Sequence, residues 1–241
     1  MCVFLINEGV RFRAQLDRMQ PWLANLDLII ADGGSTDGSA EPELARMGGA
    51  RTLLVKRGEG RLSAQMRMAL AYALAEGYEG IIVMDGNNKD DPSALPRFTA
   101  AMEQGYDHVQ GSRYVRGGEG INTPRSRHYA VTLVHAPIIS LAAGFRYTDT
   151  TNGFRAYSRR LLMDPRVSPF RSVFHSYELH YYLAIRAAKL GYRCLEIPVT
   201  RTYPSTGSTP TKIRGIRGNA GILRTLFAAA RGAWNPGNDA T

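Results

Sequence analysis

The chain is 241 residues long, 44% hydrophobic and 21% charged, which suits one sizeable soluble α/β domain with a buried core. Two cysteines far apart in sequence, Cys2 and Cys194, exclude a disulfide framework, and the longest apolar run, 131–145, is broken by His135 and Pro137 and falls short of the roughly 20 residues needed to cross a bilayer. The formal charge of +9 and the pI of about 9.8 favour anionic partners: nucleotides, sugar phosphates, nucleic acid or acidic lipid headgroups.

Strands and helices alternate through the first half. A short strand is expected at Cys2–Leu5, then a helix over 11–25 whose apolar residues Phe12, Leu16, Met19 and Leu23 recur at helical spacing. A second strand, 28–31, leads to a helix over 39–47 with Glu41 and Glu43 near its positive end. A third strand at 52–55, an amphipathic helix over 62–76 closed by Gly77, a fourth strand at 81–84, a helix over 92–104 and a fifth strand at 108–110 follow. This rhythm predicts a mostly parallel sheet covered by helices. Beyond it, 113–127 reads as a polar, glycine-rich loop long enough to suggest function, 129–143 as an apolar helix containing Pro137, and 149–155 as a turn-rich segment. A helix over 178–190 and a last strand at 194–199 complete the domain. One domain over 1–200 is expected, followed by a basic tail over 201–241 that has no Asp or Glu between 201 and 231. No basic leader precedes an apolar run at the N-terminus, which predicts a cytoplasmic protein.

Two strand ends carry the chemistry. The fourth strand ends at Asp85, followed at once by Gly86-Asn87-Asn88-Lys89-Asp90-Asp91-Pro92, and the second ends on Asp32-Gly33-Gly34-Ser35-Thr36-Asp37-Gly38. In an open α/β sheet, ligands bind outside the carboxyl ends of the strands. Oxygen ligands gathered there suit a hard cation, Mg²⁺ or Mn²⁺, which in turn holds phosphates. Four of the 30 basic residues are lysine and the rest arginine, whose planar fork binds phosphate bidentately. Plain structural uses compete: Asp32 suits an Asx turn, and Asp90-Asp91-Pro92 suits a helix cap with Pro at the first position. Gly58-Glu59-Gly60-Arg61 precedes a helix and could aim backbone N–H groups, or the Arg61 side chain, at an anion.

In this order the segments resemble family 2 glycosyltransferases of the GT-A fold, most closely the polyprenol-phosphate branch that includes dolichol-phosphate mannosyltransferases. Ile6-Asn7-Glu8 is similar to the Asn-Glu after that family's first strand, 32–38 to its Asp-Asp-Gly-Ser-Thr-Asp-Gly, and Asp85-Gly86-Asn87 to its Asp-x-Asp. Gly111-Ser112-Arg113-Tyr114 is similar to its Gly-Ser-Arg-Tyr, and 149–155 to its Asp-x-Thr-Ser-Gly-Phe-Arg. Glu178-Leu179 and Glu196-Ile197-Pro198-Val199 match the helix and strand that follow, so the resemblance covers roughly residues 3–215. It implies a Rossmann-like α/β domain with a nucleotide-sugar half, 1–115, and an acceptor half, 116–200. It also implies that a nucleoside-diphosphate sugar binds across the strand ends through Asn7, Glu8, Asp32, Gly34, Ser35, Arg61, Asp85, Gly86 and Lys89. Asp85, Asn87 and Asp90 would surround a Mg²⁺ or Mn²⁺ ion that neutralises the departing diphosphate. Two departures stand out, since Gly33 and Asn87 each replace an Asp. An amide oxygen brings no charge, so metal affinity should drop unless Asp90 or Asp91 compensates, and Lys89 could bond the diphosphate and partly replace the metal's charge.

An ionised lipid phosphate is already a nucleophile at pH 7 and needs cations rather than a base. The resemblance points to Arg113 and Arg155 for that work, to Arg127, His128 and Thr132 as the closest register to an Arg-and-Ser pair of the family, and to Arg201 and Lys212 further on. Glu178, or Asp90, is the candidate base if the acceptor is instead a hydroxyl. In the tail, Ile222, Leu223, Leu226 and Phe227 form one apolar face between basic residues, which suits a surface of anionic lipid or packing on the domain. The expected activity is hexose transfer to a polyprenyl or other lipid phosphate at the cytoplasmic face of a membrane. A soluble glycosyltransferase acting on a glycan or small-molecule hydroxyl is one alternative. A non-catalytic nucleotide-sugar-binding protein, permitted by Asn87, is another. No nucleic-acid motif accompanies the charge, so nucleic acid is not expected as a partner.

Overall fold

The computed structural model describes residues 1–205 and 215–237. In chain order the elements are β1 (Cys2–Leu5), α1 (Val10–Met19), β2 (Leu28–Asp32), α2 (Pro42–Met47), β3 (Ala50–Val55), α3 (Leu62–Ala75), β4 (Gly80–Asp85), α4 (Leu95–Glu103) and β5 (His108–Ser112). There follow β6 (Glu119–Ile121), α5 (Arg125–Tyr129), a π-helical stretch (Ala130–His135), α6 (Ala136–Ala143), β7 (Arg155–Ser158), α7 (Arg159–Met163), α8 (Glu178–Lys189), β8 (Cys194–Pro198), β9 (Thr200–Thr202) and α9 (Gly215–Ala230). Seven strands form one sheet in the order β3-β2-β1-β4-β7-β5-β8, parallel except for β7. Strands β1 and β2 are buried along their whole length, as expected of a sheet covered on both faces.

Alternation along β1 sorts the core into two layers. Val3 and Leu5 pack with Phe12, Leu16 and Met19 of α1 and with Leu95 and Phe98 of α4. Cys2 and Phe4 face the opposite layer, with Met66 and Leu70 of α3 and Leu179 and Leu183 of α8. A third cluster, with Ile139, Tyr181, Ile185 and Leu226, fastens α6 and α9 to α8. The chain runs outward through β1, β2 and β3, then returns to place β4 on the other side of β1. That reversal opens a crevice at the carboxyl ends of β1 and β4, where ligands of open α/β sheets bind.

The second half departs from expectation in three places. The segment after 155 forms β7, which pairs antiparallel to both β4 and β5. The loop expected over 113–127 contains β6, which pairs with β9 just past the strand expected to be last. The apolar helix expected over 129–143 starts at Arg125 and passes through the π-helical stretch, with Pro137 just after that stretch.

Candidate active site

The loop after β4 is held from three sides. Gly86 N–H donates to the Phe4 carbonyl at 2.7 Å, and a Cβ on Gly86 would lie 2.9 Å from that oxygen, so a side chain is excluded there. From α1, buried Gln15 donates through Nε2 to the Asp85 carbonyl at 2.8 Å and accepts at Oε1 from Asn88 N–H at 2.6 Å. Asn88 takes the left-handed conformation, φ 59°, that turns the chain. From β9, Thr202 N–H donates to the Lys89 carbonyl at 2.8 Å, and Asp91 N–H donates to Thr200 at 3.0 Å. Asp91 caps the turn that follows by accepting from Ser93 N–H at 3.1 Å, with Pro92 at its first position. The cap reading of Asp91-Pro92 therefore describes these residues.

Within this frame Asp85 Oδ2 accepts from Arg201 Nη2 at 3.1 Å and from Asn87 Nδ2 at 3.3 Å. Among the described residues no hydrogen bond reaches Asp85 Oδ1, which faces Gly153, where a Cβ would come within 2.8 Å of it. The other arm of the buried Arg201 guanidinium pairs with Asp90, itself fully buried. Burial pushes Asp85 up, but Arg201 and then Lys89 outweigh it and hold its carboxyl below the usual range. Burial, reinforced by Arg201, brings the Lys89 ammonium down to about 7 against the pull of Asp85 and Asp90.

Tyr203, just after β9, gathers the cations. Lys89 Nζ lies 5.4 Å from its ring centroid, the Arg127 guanidinium 5.8 Å and the Arg201 guanidinium 6.0 Å. Arg113 Nη1 donates to its hydroxyl at 3.1 Å. Four cationic side chains from four segments thus meet on one buried phenol beside Asp85, at the sheet's topological switch point.

A family model described as Glycosyl transferase family 2 matches residues 11–164. The chain belongs to that family. This glycosyltransferase is 27% identical over 227 residues to the undecaprenyl-phosphate mannosyltransferase of Micrococcus luteus, which spans 93% of this chain and 91% of that protein. It is 31% identical over 210 residues to the dolichyl-phosphate hexose transferase of Haloferax volcanii, covering 85% and 84% of the two chains. Among solved structures, the glucosyl-3-phosphoglycerate synthase of Mycobacterium tuberculosis, crystallised with Mn²⁺, uridine-diphosphate and glucosyl-3-phosphoglycerate, matches with a TM-score of 0.65 at 17% identity, over 95% of this chain and 76% of that one. The enzyme therefore has the GT-A fold expected of its sequence.

Several expected site residues have other occupations in the enzyme. Arg113 is buried and bonds Asp149 through Nε at 2.6 Å and Nη2 at 2.9 Å; burial opposes its charge, yet Asp149 holds it above the usual range. Asp149 is itself positioned by Glu196, which accepts from the Thr148 and Asp149 backbone N–H groups. Arg155 is buried, donating to the carbonyls of Asn152 at 2.9 Å and of His180 and Thr150 at 2.7 Å. The reading of Arg113 and Arg155 as phosphate ligands is thus corrected, because desolvated guanidinium groups need all their donors satisfied and these two find partners inside the fold. Asp90, expected at a metal, is sealed against Arg201, and Arg201, expected at an acceptor phosphate, bridges Asp85 and Asp90. Asp32 closes an Asx turn, its carboxylate accepting from Gly34 N–H at 2.8 Å and Ser35 N–H at 2.9 Å, so its structural reading describes the carboxylate.

The remaining expectations divide. Asn7 is exposed and clasps the 33–38 loop, donating from its N–H to Ser35 Oγ at 2.9 Å and accepting from Thr36 N–H at 2.8 Å. Glu8 bonds Arg11 at 2.8 Å. Arg61 keeps an exposed side chain, but its N–H donates to the His175 carbonyl, so it is not aimed at an anion. Glu178 accepts from Ser176 N–H at 2.6 Å at the start of α8. Thr132 donates to the His128 carbonyl on its own helix, and the exposed His128 ring stands edge-on to Tyr114 and Tyr129. Lys212 lies outside the described residues. Sequence reasoning missed Gln15, Gly153 and Tyr203. Gln15, a polar residue one place before Leu16 on the apolar face of α1, was the available signal for the first, and the family-like 149–155 motif for the second; Tyr203 had none.

Proposed function

We propose that this glycosyltransferase moves a hexose from a nucleoside-diphosphate sugar onto a polyprenyl-type lipid phosphate. The observation that carries the reading is the meeting of Lys89, Arg127, Arg201 and Arg113 on Tyr203 beside Asp85. Arg113 is neutralised by Asp149 and Arg201 lies between two carboxylates, which leaves Arg127 as the guanidinium of the group to meet phosphate. The names of the Micrococcus luteus and Haloferax volcanii relatives point to the same acceptor class.

In the reaction, an oxygen of the lipid phosphate attacks the anomeric carbon while the bond from that carbon to the nucleoside diphosphate breaks, and the electron pair leaves with the diphosphate. No proton has to be removed from the nucleophile. Of the two carboxylates that a hydroxyl acceptor could use as base, Asp90 is fully buried with one oxygen on Arg201, and Glu178 accepts from Ser176 N–H. In this reading Asp85 and Gly86 meet the donor, and Arg127 and His128, on the helix that continues into the π-helical stretch, meet the acceptor. π-Helical turns are frequent at functional sites.

The M. tuberculosis neighbour was crystallised with Mn²⁺. Here Asp85 Oδ1, uncovered by the missing side chain of Gly153, and the Asn87 carboxamide fit a divalent ion completed by diphosphate oxygens and water. Such an ion would neutralise the leaving diphosphate. Among the described residues no group of three or more His, Cys, Asp or Glu could hold a metal, so the protein's own contribution is small.

No helix of the described residues is long and apolar enough to cross a membrane. The lipid phosphate would be met at a bilayer surface. Tyr129, Leu133 and Leu141, four or eight residues apart along one helix, are 56%, 69% and 86% exposed. Leu223 and Phe227 of α9 are exposed as well, and Arg125, Arg146, Arg224 and Arg231 supply the charge that anionic lipid attracts. The reading is tested by incubating the protein with labelled nucleotide sugars and either a short polyprenyl phosphate or the same polyprenol without phosphate. Transfer to the phosphate alone is expected. Transfer to the alcohol, or to neither, would overturn it.

A further inference from the structure

Gln65, in the first turn of α3, is 3% exposed and ties the carboxyl ends of two strands together. Its Nε2 donates to the Leu5 carbonyl of β1 at 2.9 Å and to the Ala31 carbonyl of β2 at 2.5 Å. Both amide hydrogens are committed to carbonyls, so the carboxamide has a single orientation. Among the described residues no hydrogen bond reaches its Oε1. That oxygen lies against half-exposed Gly33, where a Cβ would come 3.2 Å from it and 3.3 Å from Ile6. Gly33 is not one of the glycines with positive φ, so the chain path does not demand glycine there. What the missing side chain provides is space, floored by an amide oxygen and walled by Ile6, itself 37% exposed. The neighbouring Asp32 carboxylate is folded back into its own turn.

We propose that Gln65 Oε1 reads the base of the donor nucleotide by accepting a hydrogen bond from a ring N–H, which selects uracil, thymine or guanine. This rests on the nucleotide-sugar reading above and deepens it. Gly33 follows β2, two strands from Asp85 in the order β2-β1-β4, and neighbouring strands lie about 4.8 Å apart, so the space is about 10 Å from the corner assigned to the diphosphate. A ribose bridges a gap of that order between diphosphate and base. The lining sets the chemistry. An acceptor with no hydrogen to give repels phosphate oxygens and takes a donor. The apolar wall of Ile6 suits the face of a flat ring better than a sugar, whose hydroxyls each need a polar partner. On the pairing edge of adenine and cytosine the ring nitrogen is itself an acceptor and would meet Oε1 lone pair against lone pair. Glycine at 33 and glutamine at 65 are then one device: the missing side chain lets the edge of a base descend to a buried oxygen.

The experiment is calorimetric titration of the full chain, in Mn²⁺, with the diphosphates of uridine, thymidine, guanosine, adenosine and cytidine, and with forms of the first three in which the ring N–H is methylated. One of the first three is expected to bind most tightly, and its N-methylated form to bind about tenfold or more weakly, because a buried acceptor is left unpaired. Gln65→Met keeps the length of the side chain and removes the acceptor. It should bring the methylated and unmethylated ligands to within about threefold of each other, with circular dichroism reporting the fold. Gly33→Ala leaves both strand bonds of Gln65 in place and fills the space, and should weaken the preferred diphosphate by about tenfold. Equal wild-type binding of that diphosphate and its N-methylated form, or tightest binding of the adenosine or cytidine compound, would overturn the inference and leave the glycosyltransferase reading standing. Binding of no nucleoside diphosphate would overturn both.

Discussion

Asp85 is shaped by what lies next to it as much as by its own charge. Gly153 leaves Oδ1 open, Arg201 orients Oδ2, and Asn87 closes the third side. Asp85→Asn keeps the shape and removes the charge, and should lower turnover by about a hundredfold or more in a protein that still folds, since Asp90 keeps its pair with Arg201. Turnover within a few fold of wild type would move the donor site elsewhere. Gly153→Ala places a methyl 2.8 Å from Oδ1, so it should lower kcat while circular dichroism stays native. Deeper in, Asp149→Asn leaves the Arg113 charge buried with half its partner gone. Breaking a buried pair in this way costs about 3–5 kcal/mol, which urea denaturation would read as a lower midpoint. The same burial explains why sequence reasoning misplaced Arg113 and Arg155. A sequence shows a cation and a motif around it, but not whether carbonyls and a carboxylate from distant segments will surround the guanidinium first.

At the scale of elements, the first half was legible and the second was not. Strands β1, β2 and β4 are apolar runs buried along most of their length, β3 is a half-exposed strand at the sheet's edge, and the helices between them carry apolar residues at regular spacing, so period and composition agree. Their ends moved by one or two residues, apart from the turns at the ends of α1, α2 and α4. Strand β7, by contrast, is four residues that begin with Arg155 and end with Ser158. It is a strand because β4 and β5 leave a gap that its backbone fills, a tertiary cause with no local signature. Strand β9 is shorter still, yet it pins the Asp85 loop and delivers Arg201 and Tyr203. Helix α1 reaches the same loop through Gln15, while its packing depends on Phe12, Leu16 and Met19. Gln15→Ala should therefore raise the donor KM by about tenfold with the helix still folded, since two hydrogen bonds to the loop are lost. An unchanged KM would show that β9 alone holds the loop.

Two properties belong to the whole molecule. The first is acid sensitivity. Burial, reinforced by Arg155, pushes His108 down to about 3, and His180 is lowered for the same two reasons. Tyr147 lies at His108 Nδ1 and Tyr157 at His180 Nδ1; Arg155 acts on both rings, and Asp85 opposes it at His180. Both rings stay neutral in the folded state while the unfolded chain protonates below the ordinary histidine value of about 6.5. These groups do not alter stability above about pH 7; His108 lowers it as pH falls from about 6.5 towards 3, and His180 acts in the same direction. Urea midpoints measured from pH 8 to pH 5 should fall, and His108→Phe should flatten the slope; an unaltered slope would assign the effect to other groups. The second property is surface adhesion. Leu133→Glu with Leu141→Glu should abolish co-sedimentation with vesicles of anionic lipid and leave donor binding intact, whereas equal sedimentation of variant and wild type would free the stripe from that role.

Strand β7 lies between two strands that the chain makes before it. As the polypeptide leaves the ribosome, β4 and β5 are both finished while the wedge that separates them is still being translated. Their backbone edges stand open through that interval, free to seize each other or another nascent chain. The halves at 1–115 and 116–200 are therefore woven rather than joined. Cutting the gene between them would yield two pieces, each missing a central plank that only the other can lend.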